Sequence, residues 1–233
     1  MSASRLKGKP LLEINNLPII CHVVKKAKET GIGEVIVATE DKEIMTAVEK
    51  NGGKVILTGK HNTGTDRIFE AFQKLKTKDV DYVLNLQGDE PMIDPKDIIN
   101  LNNLMIKNNS DIGTLASEIK ENTILNNENV VKVITKEKLE NNSFTKAINF
   151  SRKNLSKQNS NIYHHIGIYA YKISVLEKFI NLNQTKNEIE NHLEQLRALD
   201  NNITIMVALA KSSPIGVDTK EDFLAIKKIM EYK

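Results

Sequence analysis

Short apolar runs rich in β-branched residues alternate with amphipathic runs along the first half of the chain. The predicted strands cover residues 34–39, 54–57 and 82–86. The predicted helices cover residues 18–30, 41–50 and 66–76. In the first helix Ile19, Val23 and Ala27 recur at helical spacing, and Gly31 follows as a stop signal. Such alternation predicts βαβ units and a mainly parallel sheet.

The pattern changes beyond Ile112, where strands follow one another with fewer helices between them. Further strands are predicted at 113–116, 130–134, 147–150, 166–173 and 203–209. Further helices are predicted at 94–105, 188–199 and 219–230. The Asn-rich stretches 122–129 and 154–161 are interpreted as loops.

Together these patterns predict one α/β domain over residues 1–233, with a Rossmann-like, mainly parallel sheet and helices on both faces. A smaller α+β lobe is expected at about residues 112–200. The last helix carries Thr219 and Asp222 at the spacing of a capping box, which places Asp218 just before a helix start.

Composition narrows the class of protein. The chain is 40% apolar and 27% charged, and it holds no apolar run near the ~20 residues of a membrane span. A net charge of +3 is too small to indicate a nucleic-acid binder. Cys21 is the only cysteine, so an intrachain disulfide and a Cys-x-x-Cys metal site are excluded. The basic residues 1–9 lead into no apolar signal segment, and a cytoplasmic protein is expected.

The segment Gln87-Gly88-Asp89-Glu90-Pro91 follows the apolar strand 82–86. Ligands of open α/β sheets bind outside the carboxyl ends of the strands, so Asp89 is expected to face a ligand. A carboxylate beside a phosphate group suits Mg²⁺, which prefers a few carboxylates completed by water and phosphate oxygens. The alternative is a plain acidic turn after a strand.

Cations surround a glycine in Ser4-Arg5-Leu6-Lys7-Gly8-Lys9-Pro10-Leu11. Side-chain cations and backbone N–H groups together suit a triphosphate, although a solvated N-terminal segment would have the same composition. Residues 63–67 open a helix with small and hydroxylated residues, which could contact a base or ribose or simply cap the helix.

Six segments occur in an order that resembles the 3-deoxy-manno-octulosonate cytidylyltransferase family, the CMP-Kdo synthetases. The segments are residues 4–11, 62–67, 87–91, 165–171, 193–197 and 216–219. The resemblance runs from Ser4 to about Ile226. It implies a fold of the nucleotide-diphospho-sugar transferase type and a homodimer. It also implies transfer of a cytidylyl group from CTP to Kdo, with release of pyrophosphate, for lipopolysaccharide biosynthesis.

The resemblance assigns roles around the nucleotide. Arg5 and Lys9 hold the CTP phosphates, and three further residues lie around the cytidine: Gly64, Thr65 and Gln87. Asp89 and Asp218 bind Mg²⁺, so Arg5, Lys9 and the two aspartates form the expected catalytic set. In-line attack on an α-phosphate needs charge neutralisation and positioning rather than a covalent intermediate. The implied Mg²⁺ bridges the phosphates and lowers the pKa of the 2-hydroxyl of Kdo.

The resemblance also assigns six residues to the sugar: Arg152, His165, Tyr169, Glu194, Gln195 and Arg197. A guanidinium at Arg152 suits bidentate capture of the sugar carboxylate. Taken alone, His165 would be interpreted as a core histidine at the start of an apolar strand. Glu194, Gln195 and Arg197 would be interpreted as part of the polar face of an amphipathic helix. Their roles depend on the resemblance.

The chain departs from the family pattern at its start, because the family begins with an apolar strand that precedes the nucleotide loop. We therefore expect a truncated or wrongly started sequence of low stability and activity, which an added strand would restore. Two other functions stay open at this stage. One is a cytidylyltransferase for sialic acid or another nonulosonate, and the other is a catalytically silent nucleotide-binding protein.

Overall fold

The computed structural model describes residues 6, 8–77, 79–153, 161–213 and 216–232. The chain divides into two compact units. The first comprises Met1–Thr77, Leu86–Ile98 and Pro214–Lys233, and the second comprises Lys78–Asn85 and Ile99–Ser213. The predicted lobe at 112–200 falls wholly within the second unit.

The described helices and strands alternate between residues 19 and 117. The strands are β1 Glu13–Ile14, β2 Leu17–Pro18, β3 Ile36–Thr39, β4 Lys54–Leu57, β5 Tyr82–Asn85, β6 Ile112–Ser117, β7 Lys132–Thr135, β8 Phe144–Ser151, β9 Ile162–Lys172 and β10 Ile205–Leu209. The helices are α1 Ile19–Glu29, α2 Lys42–Lys50, α3 Gly64–Leu75, α4 Pro95–Asn108, α5 Asn122–Asn126, α6 Ile173–Ile180, α7 Lys186–Asn191, α8 Leu196–Asp200 and α9 Lys220–Glu231.

In the first unit, β3 and β4 pair in parallel, with Val37 opposite Val55. Helix α1 buries the apolar face that its spacing predicts, and Val24 packs with Val37 and Val48 in one core cluster. Helix α1 ends at Glu29, and Gly31 follows with a φ of 65°, a left-handed conformation that glycine adopts without strain. The predicted βαβ pattern is therefore confirmed for this part of the chain.

The second unit holds a six-stranded sheet in the order β5-β9-β6-β10-β8-β7. Within it, β6 and β10 run parallel, whereas the other neighbouring strands are antiparallel. The prediction of a mainly parallel sheet is therefore wrong for the described strands, and the sheet is mixed. The physical reason is β9, which lies between β5 and β6 and runs against both of them.

Strand β9 also reaches a third neighbour, because its first residues pair with β7. The pairings of β9, β6, β10, β8 and β7 thus close into a ring. Helix α4 lies close to β6 at Gly113, where a Cβ atom would clash with the side chains of Met105 and Leu101. Gly113 therefore permits this close helix–strand packing.

Several predicted elements differ from the structure. The single helix predicted at 188–199 is instead α7 and α8, because His192 adopts a φ of 52° and ends α7. The predicted loop at 122–129 begins with the short helix α5. The strand predicted to end at residue 173 ends one residue earlier, because α6 begins at Ile173. Residues 154–160 of the other predicted loop lie outside the described residues. No helix in the described part of the chain has the length and apolarity needed to cross a membrane.

Candidate functional site

Lys9 is presented by a tight turn at the start of the first unit. Gly8 adopts a φ of 69°, and its carbonyl accepts a hydrogen bond from the N–H of Leu11 at 2.9 Å. Pro10 supports the single 3₁₀ turn Lys9–Leu11 that follows. The predicted cationic loop is therefore ordered at Lys9, whereas the predicted phosphate ligand Arg5 lies outside the described residues.

The ammonium of Lys9 joins the two aspartates that the sequence singled out. Its Nζ lies 2.8 Å from Asp89 Oδ2 and 2.9 Å from Asp218 Oδ1. Burial alone would lower the pKa of Lys9, but hydrogen bonds and charges from both carboxylates outweigh it and raise the pKa above its ordinary value. Residues far apart in the chain thus form one charged cluster in the first unit.

Backbone contacts hold the two aspartates near each other. The N–H of Val217 donates to the carbonyl of Asp89 at 3.0 Å, next to the carboxylate-bearing Asp218. Asp218 precedes α9, whose first turn is closed by the capping box of Thr219 and Asp222. The predicted capping box is confirmed, and it leaves the Asp218 side chain 76% exposed at the positive end of the helix.

A third carboxyl group, on Glu90, belongs to the same cluster and was missed from the sequence. Burial raises the pKa of Glu90 to about 7, with further increases from the charges of Asp89 and Asp218. Its Oε2 is buried and finds no hydrogen-bond partner among the described residues. Its position directly after Asp89 was the only sequence signal that Glu90 belongs to the site. The sequence does not show which side chains of a turn are buried.

Helix α3 begins at the second predicted nucleotide segment. The hydroxyl of Thr63 accepts a hydrogen bond from the N–H of Asp66 at 3.2 Å and donates to Asp66 Oδ2 at 2.9 Å. Gly64 is exposed, whereas Thr65 is buried. Gln87, the third residue predicted to lie around the base, is exposed. The helix cap that the sequence left as an alternative is therefore present.

The loop before α3 is held by one carboxylate. Both oxygens of Glu70 accept from the N–H of Gly59, at 3.1 and 2.9 Å. The same carboxylate pairs with Lys74 at 2.6 Å and contacts Nε2 of His61. These partners lower the pKa of Glu70 to about 2, with the hydrogen bond from Lys74 the largest cause. Glu70 therefore ties the loop after β4 to the middle of α3.

The predicted sugar-binding residues all belong to the second unit. His165 is buried on β9, with its ring 5.1 Å from that of Phe150 and 5.4 Å from that of Tyr169. Its Nε2 lies 3.0 Å from the hydroxyl oxygen of Thr114. Burial lowers the pKa of His165 to about 3, and the nearby His164 and Arg152 lower it further. The histidine is therefore neutral near pH 7.

Tyr169 continues a row of rings along this strand. Its ring stacks 5.8 Å from that of Tyr171, which lies 6.2 Å from that of Phe179. The Tyr169 hydroxyl is buried and has no hydrogen-bond partner in the described part of the chain. A buried hydroxyl without a partner is rare, so this group is a candidate donor to a ligand.

Arg197 is buried and paired inside the second unit. Its Nε donates to Glu188 Oε2 at 2.8 Å, its Nη2 contacts Glu188 Oε1, and its guanidinium lies 4.8 Å from the centre of the Phe179 ring. Glu194 Oε1 is 3.8 Å from Nη2 of the same arginine. Glu188 was missed from the sequence, although the spacing of Thr185 and Glu188 predicts the capping box that α7 contains.

Arg152 and Gln195 occupy the ends of elements. Arg152 follows β8, and its Nη1 donates to the carbonyl of Asn129 at 2.9 Å. Gln195 immediately precedes α8. Of the six predicted sugar residues, the structure places His165 beside Tyr169 and Glu194 beside Arg197.

The chain that carries this charged cluster and this ring-lined strand is similar to known cytidylyltransferases. A family model described as cytidylyltransferase matches residues 1–205. The 3-deoxy-manno-octulosonate cytidylyltransferase of Bartonella tribocorum is 40% identical over 232 residues, with 99% of this chain and 95% of that protein covered. The enzyme of the same name from Thermodesulfovibrio yellowstonii is 42% identical, covering 98% of this chain and 94% of that protein.

Solved structures agree with the sequence comparisons. The structure of a CMP:2-keto-3-deoxy-manno-octonic acid synthetase complexed with CTP has a TM-score of 0.88 and 34% identity, with 99% of this chain and 94% of that chain covered. An apo UDP-glucose pyrophosphorylase has a TM-score of 0.70 at 13% identity, covering 97% and 93% of the two chains. The second likeness concerns the mixed α/β fold alone.

Proposed function

This chain belongs to the 3-deoxy-manno-octulosonate cytidylyltransferase family, and we propose that it catalyses the reaction that this name describes. CTP and 3-deoxy-manno-octulosonate (Kdo) react to form CMP-Kdo and pyrophosphate, and CMP-Kdo is used in lipopolysaccharide biosynthesis. The observation that carries the proposal is the cluster of Lys9, Asp89 and Asp218, in which one cation bridges two carboxylates. Such a cluster suits a reaction in which phosphate charge must be neutralised.

The first unit supplies the residues for the nucleotide. Lys9 has the charge to bind phosphate oxygens, and Arg5 is proposed as a second phosphate ligand. The exposed Gly64 and Gln87 are proposed to lie near the cytidine. Thr65 is buried, so we propose that it supports the start of α3 beneath the base.

Mg²⁺ is proposed to bind at Asp89 and Asp218. The fit is supported by the position of the Lys9 ammonium, which shows that oxygens of both carboxylates can approach one cation within 2.9 Å. Among the described residues no three His, Cys, Asp or Glu side chains are placed to hold a metal ion together, so Glu90 is not proposed as a third ligand. Two carboxylates are enough for Mg²⁺, because water and phosphate oxygens complete its octahedron. Bound Mg²⁺ would supply charge for the phosphates and acidify a nearby hydroxyl.

The second unit supplies the residues proposed for the sugar. Arg152 has the fork geometry that suits the Kdo carboxylate, while neutral His165 and the hydroxyl of Tyr169 suit its hydroxyl groups. Glu194 and Gln195 are proposed as further hydrogen-bonding groups. Arg197 is already engaged by Glu188, so we propose that it acts by holding Glu194 in place.

The proposed reaction forms a bond between the 2-hydroxyl oxygen of Kdo and the α-phosphorus of CTP, and it breaks the bond from that phosphorus to pyrophosphate. No covalent protein intermediate is needed. The tasks of the chain are to neutralise the phosphates, hold both substrates in line and exclude water. A homodimer and a cytoplasmic location complete the proposal. The exposed Ile148 on β8 offers an apolar contact for a second subunit.

The test is pyrophosphate release from CTP in the presence of Mg²⁺, with Kdo as the substrate and sialic acid as the control sugar. We expect release with Kdo and none with sialic acid.

We expect Asp89→Asn and Asp218→Asn each to lower kcat by about a hundredfold or more, because each removes charge compensation from the transition state. The matched control is Asp79→Asn, which neutralises an exposed aspartate of the second unit. Full activity in both site variants would overturn the role of the cluster, and release with neither sugar would favour a silent nucleotide-binding protein.

A further inference from the structure

The hydroxyl of Thr114 lies at an irregularity between β6 and β9. Thr114 is opposite Tyr169, yet the next residue, Leu115, is opposite Ile166, so Gly167 and Ile168 have no paired residue on β6 at this step. The bulge directs backbone carbonyls toward the threonine. Thr114 Oγ1 lies 2.7 Å from the carbonyl oxygen of Ile168 and 3.3 Å from that of Ile166.

The third neighbour of this hydroxyl is Nε2 of His165, at 3.0 Å. A hydroxyl carries one hydrogen, and a carbonyl oxygen can only accept. Two oxygens 2.7 Å apart need a hydrogen between them, so the Thr114 hydroxyl donates to Ile168. It must then accept from His165, which requires that Nε2 carry the hydrogen.

Packing keeps the imidazole in this orientation. The Phe150 ring meets it edge-on at an interplanar angle of 82°, and the Tyr169 ring lies 5.4 Å away at an angle of 50°. Thr114 is fully buried and His165 is 8% exposed, so water has little access to compete for Nε2. Since the ring is neutral, hydrogen on Nε2 leaves Nδ1 with a lone pair that can only accept.

We propose that Thr114 is a positioning residue that locks His165 in the Nε2–H tautomer and thereby presents Nδ1 as the acceptor for a hydroxyl group of the sugar acid. The inference rests on the proposed function for the identity of the sugar. The tautomer itself follows from contacts within the second unit. His165 then recognises a hydroxyl hydrogen and does not act as a cation toward the sugar carboxylate.

The tautomer can be measured directly in the ligand-free protein by NMR with ¹⁵N-labelled histidine. The protein has five histidines, and the His165→Asn variant identifies the signals of His165. We expect a neutral ring with hydrogen on Nε2, and in Thr114→Val a shift toward the other tautomer. On addition of Kdo to the wild type, the Nδ1 signal is expected to move upfield as it accepts a hydrogen bond. A wild-type ring with hydrogen on Nδ1, or an unmoved Nδ1 signal at saturating Kdo, would overturn the proposal.

Kinetics test whether the tautomer matters for the sugar. Thr114→Val is expected to raise KM for Kdo about tenfold, because that is the size of effect expected from the loss of one oriented hydrogen bond. KM for CTP should be unchanged. Thr114→Ser keeps the hydroxyl and is expected to restore KM for Kdo to within about twofold of the wild type. If Thr114 acts through His165, adding Thr114→Val to His165→Asn should change KM for Kdo little further. Additive effects of the two substitutions would contradict the mechanism.

A matched control separates positioning from simple loss of stability. Thr145 is also buried in the second unit, and its hydroxyl accepts a hydrogen bond from the N–H of Glu137 at 3.1 Å. Thr145→Val should lower Tm in a similar way without changing KM for Kdo. If Thr114→Val does not fold, Thr114→Ala takes its place, and the wild-type NMR result decides the tautomer in either case. If the wild type shows the expected tautomer but releases no pyrophosphate with Kdo, the proposed function fails and the acceptor role toward Kdo falls with it.

Discussion

Single carboxylates in this protein differ sharply in their surroundings. Glu70 is held by several donors, whereas Glu90 is partly buried, with its Oε2 buried, near two other carboxylates. The pKa of the first is therefore lowered to about 2 and that of the second raised to about 7. Both residues are glutamates of the first unit. The difference in pKa therefore comes from the burial and the partners of each carboxylate and not from residue type.

The lowered pKa of Glu70 predicts how stability changes with pH. A carboxyl group whose folded pKa is depressed stabilises the fold above its unfolded value of about 4.5, and this contribution disappears as the pH falls toward about 2. Glu70→Gln should therefore have a lower Tm than the wild type at pH 7, and the difference should shrink between about pH 4.5 and 2. Differential scanning calorimetry across this range measures it.

The control for this experiment is Glu29→Gln. Glu29 forms an exposed ion pair with Lys26 at 3.0 Å, one turn apart on α1. Exposed pairs contribute little, so its Tm difference from the wild type should be small at every pH. A Glu70→Gln difference that stays constant down to pH 2 would contradict the proposed role of the ionised carboxylate.

At the scale of elements, helix starts place the charged residues of the first unit. Helix α9 begins at Lys220, two residues after Asp218. The carboxylate of Asp222 accepts hydrogen bonds from the N–H groups of Asp218 and Thr219, at 3.2 and 2.8 Å. The capping box thus orders the backbone that carries a proposed metal ligand. The sequence predicted this box from the spacing of two residues, because capping is a local interaction.

Loss of this cap should affect stability and activity together. Thr219→Ala removes the acceptor for the N–H of Asp222 and should lower the free energy of unfolding by about 1 kcal/mol. It should also raise the Mg²⁺ concentration needed for half-maximal turnover, because a looser first turn of α9 loosens Asp222, whose carboxylate accepts from the N–H of Asp218. Urea unfolding and Mg²⁺ titration of the wild type and variant measure the two effects.

The matched control is Asp41→Ala, because Asp41 caps α2 through the N–H of Glu43 at 2.7 Å, while the ion pairs of Lys9 are with Asp89 and Asp218. This variant should lose similar stability with an unchanged Mg²⁺ requirement. Equal changes in the Mg²⁺ requirement for both variants would show that the effect of Thr219→Ala is only a general loss of stability.

At the scale of the whole molecule, the core of each unit is built from residues distant in sequence. Cys21, the one cysteine of the chain, is 4% exposed in the core of the first unit, and burial raises the pKa of its thiol against an opposing effect of Lys25. A buried, protonated thiol reacts slowly.

Cys21 therefore reports the opening of the fold. A disulfide reagent such as DTNB should label the native protein slowly and release one equivalent of thiolate after unfolding in urea. Labelling should accelerate in parallel with the urea transition followed by circular dichroism. A fast native reaction would mean that the core around α1 opens locally far below the unfolding transition.

Local signals predicted most helices and strands of this protein. Helical periodicity located α1 and α2, and Gly31 marked the end of α1 because glycine adopts the left-handed conformation without strain. The helix predicted at 188–199 failed because His192 adopts that conformation without being glycine. The mainly parallel sheet failed because the pairing of β9 depends on contacts with distant strands, which periodicity does not record.

The sequence by itself determined the family, the alternation of helices and strands, and the residue types available for phosphate, metal and sugar chemistry. These follow from short-range spacing and from motifs read in order. Only the tertiary structure decided that Lys9 bridges Asp89 and Asp218, that Glu188 engages Arg197, and that the Thr114 hydroxyl contacts His165 Nε2. Each of these contacts joins residues brought together by chain packing, and hydrogen-bond direction depends on burial and on neighbours that no local pattern encodes.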